Sequence, residues 1–316
     1  MPGRAEVVVI TGASSGIGRA TAIAFARRQS SLVLAARNEQ ALHQAAEECR
    51  SLGARVLVQA TDVSEASQVE ALGRASVAEF GRIDVWVNNA SILLFGSFEA
   101  IAEENFRRVL ETNLFGYVNG ARVALRHFRA QDDRGSLINI ASVLARIGEP
   151  YVSAYVTSKF AIRGWSACLR QELADTPGIH VCTVLPSPFD TPIYQKAGNL
   201  TGRQPRSIWP VGDATDVAAA IVRLVDHPRR EITVGWFGRL LTLADGLAPG
   251  LLERAIARLG PALQFSDERA QAGSGNLGEA TGPFAVSGGW REYWRRRIGQ
   301  LPEILWGKRR GHTGGH

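Results

Sequence analysis

Short apolar runs alternate with longer amphipathic stretches along most of the chain. Brief runs of β-branched residues and leucine are typical of buried strands, whereas apolar residues repeated at helical spacing indicate helices. The predicted strands are Glu6–Thr11, Ser31–Ala36, Arg55–Ala60, Ile83–Val87, Gly135–Ala141, His180–Leu185 and Glu231–Gly235. The predicted helices are Gly16–Gln29, Glu39–Leu52, Glu65–Phe80, Glu103–Phe128, Ser153–Asp175 and Ala214–Asp226, the last capped by Asp213.

This alternation predicts βαβ units and therefore an α/β fold. We expect a doubly wound, mostly parallel seven-stranded sheet of the Rossmann-like type, with helices on both faces. Ligands of such sheets bind outside the carboxyl ends of the strands, so functional residues are expected in the loops that follow strands.

The strand pattern stops near Gly235, which predicts a Rossmann-type domain over residues 1–235 and a helical, basic, partly flexible C-terminal extension over residues 236–316. Within the extension, Leu240–Leu259 is leucine-rich and helical in pattern. Ala270–Gly289 is rich in glycine, serine and alanine, which predicts a mobile loop. Trp290–Arg310 interleaves aromatic and basic residues.

Composition indicates a folded intracellular protein, because only 21% of the 316 residues are charged and no secretion signal or membrane span is visible. We therefore predict a cytoplasmic location. Three widely spaced cysteines (Cys49, Cys168 and Cys182) indicate a reducing compartment and predict no metal site. From Trp236 onward, eleven Lys/Arg face seven Asp/Glu, so the extension carries +4 of the total charge of +6.

A glycine-rich turn follows the first predicted strand and precedes the first predicted helix. Glycines at such a turn let the backbone approach a pyrophosphate, which the free N–H groups at the helix N-terminus then bind. The turn reads Thr11, Gly12, Ala13, Ser14, Ser15, Gly16, Ile17 and Gly18. Its spacing is Gly-x-x-x-Gly-x-Gly, which differs from the commoner Gly-x-Gly-x-x-Gly dinucleotide fingerprint.

Five motifs in order resemble the short-chain dehydrogenase/reductase family over about residues 5 to 235. They are the glycine turn, Asp62-Val63 after the third strand, Asn88-Asn89-Ala90 after the fourth, Asn113 within a long helix, and Ser142 with Tyr155-x-x-x-Lys159. The resemblance implies an oxidoreductase that uses a nicotinamide cofactor. It also implies a dimer or tetramer formed partly by the helices that carry Asn113 and Tyr155.

The end of the second strand predicts the choice of cofactor. An acidic residue there usually binds the ribose of NAD, whereas an arginine accommodates the 2′-phosphate of NADP. This chain has Arg37 and no acid at the strand end, which favours NADP(H), although Ser15 stands where many NADP-preferring relatives have a basic residue and Glu39 is nearby. The predicted cofactor-binding residues are Thr11, Gly12, Ser14, Ser15, Gly16, Ile17, Gly18, Arg37, Asp62, Val63, Asn89, Ala90, Tyr155, Lys159, Pro186 and Thr191.

The catalytic prediction rests on Tyr155 and Lys159, which share one helix face at a spacing of four. A neighbouring ammonium and the cationic nicotinamide of NADP⁺ favour the phenolate, so we expect Tyr155 to titrate near working pH and to exchange a proton with a carbonyl or alcohol. Ser142, at a strand end, is predicted to hydrogen-bond the substrate oxygen. By resemblance, Lys159 also binds the nicotinamide ribose and Asn113 holds a water linked to Lys159.

Two serines depart from the family pattern: Ser91 and Ser187 stand where glycine is usual. If either position required a positive φ, serine would be strained there. Such strain would disturb the placement of the nicotinamide near Ser187.

Several alternatives concern the substrate and partners. The segment 188–210 carries Phe189, Ile193, Tyr194, Leu200, Ile208 and Trp209, which either contact an apolar substrate or pack the loop onto the body. For Trp290–Arg310 we rank docking on the body or another subunit first, peripheral membrane contact second and nucleic acid a distant third. The rival to an enzyme is an NADP(H)-binding sensor that retains the fold.

Overall fold

Seven parallel strands form the central sheet in a computed structural model that describes residues 5–299. In chain order the strands are β1 (Val7–Thr11), β2 (Ser31–Ala36), β3 (Val56–Ala60), β4 (Val85–Asn88), β5 (Leu94–Phe95), β6 (Gly135–Ile140), β7 (Ile179–Pro186), β8 (Gly198–Asn199), β9 (Arg203–Pro205), β10 (Glu231–Val234) and β11 (Phe265–Arg269). The order in the main sheet is β10-β7-β6-β4-β1-β2-β3. The chain therefore reverses its direction of winding between β1 and β4, and a ligand crevice opens at such a switch point.

Helices cover both faces of this sheet. They are α1 (Gly16–Arg27), α2 (Glu39–Ser51), α3 (Ala66–Phe80), α4 (Glu103–Leu110), α5 (Gly116–Ala130), α6 (Ser153–Glu172), α7 (Ile193–Lys196), α8 (Ala214–Asp226), α9 (Trp236–Leu247), α10 (Pro249–Gln264) and α11 (Trp290–Gly299). In β1, Val8 and Ile10 pack with α1, α2 and α8, whereas Val7 and Val9 pack with α3 and α5. The predicted doubly wound α/β fold is confirmed.

The long helix predicted over Glu103–Phe128 is interrupted. A five-residue π-helical turn, Glu111–Phe115, separates α4 from α5 and contains Asn113. A π-turn adds a residue to the helix and changes the direction of the side chains there, which an apolar repeat does not reveal. The other predicted elements of the main sheet differ from the structure by three residues or fewer at their ends.

The C-terminal extension packs against the Rossmann-type part of the chain. The leucine-rich stretch forms two helices, α9 and α10, that meet at Ala248. Strand β11 pairs antiparallel with β9, with Phe265 opposite Pro205. The predicted aromatic segment is helical over Trp290–Gly299, and its residues 300–310 lie outside the described residues.

Within residues 5–299, no helix combines the length and apolarity needed to cross a bilayer. The same residues contain no cluster of His, Cys, Asp and Glu suited to a metal ion. Cys49, Cys168 and Cys182 are free thiols.

Candidate active site

The glycine turn after β1 brings backbone segments into close contact. Gly12 has φ +68° and Gly16 has φ +55°, conformations that glycine adopts without strain. A Cβ on Gly12 would lie 2.8 Å from the Cα of Ala90, and one on Gly18 would lie 2.3 Å from the carbonyl oxygen of Gly12. The turn therefore depends on glycine at three positions, as the predicted phosphate loop requires.

Thr11 and Asn89 join the glycine turn to the loop after β4. The Thr11 hydroxyl donates to the carbonyl of Val87 (3.2 Å) and accepts from the N–H groups of Asn89 (3.0 Å) and Ala90 (3.2 Å). The Asn89 amide donates back to the carbonyl of Thr11 at 2.9 Å. These bonds fix the two strand ends at the switch point, and Thr11 supports the cleft from behind.

One continuous cleft collects most of the predicted site. It is lined by Gly12, Ser14, Ser15, Gly16, Ile17, Arg37, Asp62, Val63, Asn89, Ala90, Ser142, Tyr155, Lys159, Pro186 and Thr191. Thr11, Gly18 and Asn113 stand behind this lining. The cavity has a volume of about 420 Å³, and its far end is walled by apolar side chains of α7, α9 and α10.

Asp62, one of the predicted cofactor-binding residues, is held by two neighbours. One carboxylate oxygen accepts from the Ser64 hydroxyl at 2.7 Å, and the other accepts from Arg108 at 2.7 Å. Burial opposes ionisation, but the hydrogen bonds from Ser64 and Arg108 outweigh it and lower the pKa of Asp62. Sequence reasoning missed Arg108, which lies 46 positions further along the chain.

Arg37 lies at the predicted end of β2 but donates to the C-terminal extension. Its two terminal nitrogens donate to the backbone carbonyls of Asn276 and Gly278, each at 2.6 Å. Burial lowers the pKa of Arg37. The Arg37 guanidinium therefore lines the cleft, and both of its terminal nitrogens are already hydrogen-bonded to backbone carbonyls.

Tyr155 and Lys159 share one face of α6, as predicted. The Lys159 ammonium donates to the carbonyl of Ile140 at 2.9 Å and lies 5.2 Å from the centre of the Tyr155 ring. Lys159 is buried, and this burial lowers its pKa to about 7. The ammonium is fixed beside the tyrosine by the end of β6.

The predicted lowering of the Tyr155 pKa depends on the nicotinamide cation together with Lys159 and stays a prediction, whereas the protein alone raises this pKa. Burial raises the pKa of Tyr155 above 10.0, a hydrogen bond with Ser142 lowers it, and the charge of Glu149 raises it further. Burial is the largest of these effects, because an anion in a poorly hydrated cavity loses the stabilisation of water. Ser142 also accepts from the N–H of Leu144 at 3.1 Å, which orients its hydroxyl.

Asn113 connects the π-turn to the loop after β4. Its amide oxygen accepts from the N–H of Ile92 (2.8 Å), and its amide nitrogen donates to the Ile92 carbonyl (3.0 Å) and to Ser158 (3.2 Å). Ser158 donates to the carbonyl of Tyr155 at 2.6 Å. Asn113 therefore positions the catalytic helix, whereas its predicted water relay to Lys159 stays a prediction.

The two serines in place of glycine are not strained, because neither Ser91 nor Ser187 has a positive φ. The Ser187 N–H donates to the carbonyl of Val234 at 3.1 Å, so its backbone is held by the edge strand β10. The buried hydroxyls of Ser91 and Thr112 lie in the cleft without a hydrogen-bond partner. Unpaired buried hydroxyls are suited to contact a polar ligand.

Some of the apolar residues after β7 line the cavity and others pack against the body, so the predicted contact with an apolar substrate stays a prediction. Ile193, Tyr194 and Ile208 line the cavity, and Phe189 both lines it and packs in the core. Leu200 packs beside the small strands β5 and β8, and Trp209 is 50% exposed.

The loop predicted to be mobile contains most of a segment that we call the strap, residues 276–290, which is hydrogen-bonded to residues at the cleft. Buried Asp190 is its main anchor, since one carboxylate oxygen accepts from the N–H groups of Gly288 (3.0 Å) and Trp290 (2.8 Å). The other oxygen accepts from the Ser287 hydroxyl at 2.7 Å. Small residues allow this close backbone contact, and the same composition is what led to the prediction of a mobile loop.

The strap also contacts the N-terminus of α1. The carbonyl of Ala285 accepts from the N–H of Gly16 at 2.8 Å, and the carbonyl of Phe284 accepts from Arg19 at 2.6 Å. The strap therefore covers the half of the cleft where the phosphates are predicted to bind.

Helix α11 docks on the body after the strap. The indole N–H of Trp290 donates to the carbonyl of Thr191 at 3.2 Å, and that of Trp294 donates to Ser207 at 2.9 Å. Tyr293 lies within 3.2 Å of Arg206. These contacts match the docking that we ranked first, over the described part of the segment.

Two ionisable residues that sequence reasoning missed lie in the cavity. Glu149 accepts from the amide of Gln264, and burial raises the pKa of Glu149 to about 7. Lys196, at the end of α7, donates to the hydroxyl of Ser15 at 2.9 Å. Neither belongs to a recognisable motif.

Comparison with known proteins agrees with this geometry. A family model described as short chain dehydrogenase matches residues 6–200. The uncharacterized oxidoreductase YxnA of Bacillus subtilis is 34% identical over 258 residues, which are 80% of this chain and 72% of that protein. The 11-beta-hydroxysteroid dehydrogenase A of Arachis hypogaea is 36% identical over 263 residues, which are 78% of this chain and 73% of that protein.

A solved structure shares the fold. It is an alcohol dehydrogenase from the archaeon Thermococcus sibiricus, complexed with 5-hydroxy-NADP, and is 28% identical to this chain with a TM-score of 0.63. The match covers 73% of this chain and 96% of that chain.

Proposed function

The chain belongs to the short-chain dehydrogenase family of oxidoreductases, and from that premise we propose that it transfers hydride between NADP(H) and an apolar carbonyl compound or secondary alcohol, with Tyr155 as proton donor and acceptor. One observation carries the proposal. Tyr155, Ser142 and Lys159 lie together where the glycine-lined cleft meets an apolar cavity.

The residues of the cleft fit a nicotinamide dinucleotide, the cofactor of this family. The glycine turn lines the cleft with Gly12 and Gly16 at the N-terminus of α1, a position that favours a phosphate. The unpaired hydroxyls of Ser91 and Thr112 lie in the same cleft. The absence of an acid at the end of β2 supports NADP(H) over NAD(H).

The bound nicotinamide would supply or accept the hydride. Tyr155 would move the proton to or from the substrate oxygen, because its hydroxyl is bonded to Ser142 inside the cavity. Ser142 would hydrogen-bond the same substrate oxygen as charge develops on it. Lys159, held by the carbonyl of Ile140, lies 5.2 Å from the centre of the Tyr155 ring, and in its protonated form it would favour the phenolate during oxidation.

An apolar substrate is supported by the walls of the cavity. Beyond Tyr155 they consist of aliphatic and aromatic side chains, among them Ile193, Ile208, Leu241 and Ile256. Burial of such a substrate contributes roughly 25 cal/mol for each Å² of apolar surface removed from water. The polar groups at one end of the cavity would orient the carbonyl.

The test is NADPH consumption against ketones, aldehydes and quinones of graded size, with NADH in parallel. We expect turnover with NADPH, and a loss of roughly 100- to 10,000-fold in kcat/KM for Tyr155→Phe, which lacks the transferable proton. NADPH should still bind to that variant, with a change in affinity far smaller than the loss in kcat/KM. Binding of NADPH by the wild-type protein without turnover of any compound, in either direction, would instead support the sensor.

We also propose that the protein pairs with a second copy through α5 and α6, the helices that the resemblance implies. Phe115, at the start of α5, is 54% exposed, and Phe160 on α6 is 43% exposed. Large apolar side chains exposed on such helices favour association. Light scattering should give the mass of a dimer or tetramer, and a monomer at all concentrations would exclude this pairing.

A further inference from the structure

Lys196 is a buried ammonium group above the glycine turn. It ends α7, and only 8% of the residue is exposed. Its Nζ donates to the Ser15 hydroxyl at 2.9 Å and lies 4.3 Å from the centre of the Phe284 ring in the strap. The positive charge is thus enclosed between the glycine turn and the strap, inside the cofactor cleft.

The immediate surroundings of Lys196 provide no negative charge. No ion pair among residues 5–299 includes it, and the charged group that acts on it is Arg37, which is also positive. Burial, with a smaller effect of Arg37, lowers the pKa of Lys196 to about 8. A buried charge is costly unless it is paired, and the aromatic face of Phe284 compensates only partly. The site therefore lacks an anion.

The position of Lys196 indicates which anion it would bind. Its partner Ser15 immediately precedes Gly16, the first residue of α1, and helix N-termini favour phosphate groups. Arg37, the other cation predicted to bind phosphate, has its terminal nitrogens on the backbone of the strap. The Lys196 ammonium donates one hydrogen bond, to Ser15, and an ammonium group can donate three.

We propose that Lys196 is a phosphate-binding residue of the dinucleotide site, and that it supplies from α7 the positive charge that Ser15 does not carry. The inference rests on one part of the proposed function, namely that the chain binds a dinucleotide. The 2′-phosphate and the pyrophosphate share the required chemistry. They differ in one respect that can be tested, because NADH has the pyrophosphate and lacks the 2′-phosphate.

The experiment measures the dissociation constants of NADPH and NADH by calorimetry on the full chain. Lys196→Met removes the charge and keeps the length of the side chain, and Lys196→Gln adds a neutral hydrogen-bonding group. We expect both variants to bind NADPH about 10- to 100-fold more weakly, the usual effect of losing a charged hydrogen bond to phosphate. Unchanged NADH affinity would assign Lys196 to the 2′-phosphate, whereas equal weakening would assign it to the pyrophosphate.

Thermal unfolding without nucleotide separates binding from a structural role. Since Lys196→Met removes an unpaired buried charge, the free variant should unfold at the same or a higher temperature than the wild type. The matched control is Arg27→Met, which removes one positive charge from the exposed end of α1 opposite to the glycine turn and should leave both affinities unchanged.

Two results would overturn the proposal. One is wild-type affinity for NADPH in both Lys196 variants, with the intact protein binding NADPH normally. The other is a lower unfolding temperature of the free variants that accounts for weaker binding. If the wild-type protein binds neither nucleotide, the proposed function fails together with this inference.

Discussion

Within the cavity, Ser142 and Glu149 act on Tyr155 in opposite directions. The hydrogen bond from Ser142 lowers the pKa of Tyr155, whereas the charge of Glu149 raises it. Both effects are smaller than that of burial. The ionisation of Tyr155 is therefore adjustable by single residues that do not carry the proton themselves.

Glu149→Gln is expected to shift the pH dependence of alcohol oxidation. Loss of the negative charge lowers the pKa of Tyr155, so the rise of kcat/KM with pH should move to lower pH by about 0.3 to 1 unit. Ser142→Ala should move it to higher pH and also reduce kcat. Profiles of kcat/KM for the three proteins measure this, and a shift of both variants in the same direction would contradict the assignment.

The difference in stability between Glu149→Gln and the wild type should also depend on pH. Burial raises the pKa of Glu149 from 4.5 to about 7, so the folded state binds this proton more tightly than the unfolded state. The resulting stabilisation is complete below pH 4.5 and is lost as pH rises through about 7. The free energy of unfolding of the variant, measured in urea and relative to that of the wild type, should rise by about 1–3 kcal/mol from pH 5 to pH 8. An equal difference at both pH values would exclude a buried, titrating carboxyl.

Among the secondary-structure elements, the sequence predicts those features that are determined by residues close together along the chain. The strand ends with Thr11 and Asn89, and the helix with Tyr155, follow from apolar periodicity and motif spacing. The π-turn around Asn113 does not, since the bonds to Ile92 that accompany it span 21 positions. The contacts of Asp190 with the strap do not follow from the sequence either. Their partners lie about 100 positions away along the chain, and the composition of the strap resembles that of a free loop.

Asp190→Ala is expected to release the strap. The variant removes the acceptor of the Ser287 hydroxyl and of the N–H groups of Gly288 and Trp290. Hydrogen exchange at these two amides should become at least about tenfold faster, which corresponds to roughly 1.4 kcal/mol of local opening free energy. Asp190→Asn, which keeps an acceptor oxygen, is the control and should show a smaller change. Unchanged exchange in Asp190→Ala would show that other contacts hold the strap.

For the whole molecule, the two parts of the chain have different roles at the cavity. The Rossmann-type part contributes the glycine turn and the proposed catalytic group, whereas the extension contributes apolar walls from α9 and α10 and a cover from the strap. The catalytic residues follow the family pattern, but the extension lies beyond the matched residues 6–200. Substrate size should therefore be determined mainly by the extension.

Ile256→Trp tests this division. Ile256 on α10 lines the cavity, and a larger side chain there would fill space that a large substrate needs. We expect kcat/KM for the largest accepted ketones to fall at least about tenfold, because an overpacked site costs about 1–3 kcal/mol, while the smallest ketones change little. Leu247→Trp, on a residue of α9 that is 77% exposed, is the control. If Ile256→Trp reduced activity equally for all sizes, α10 would support the catalytic part instead of selecting substrates.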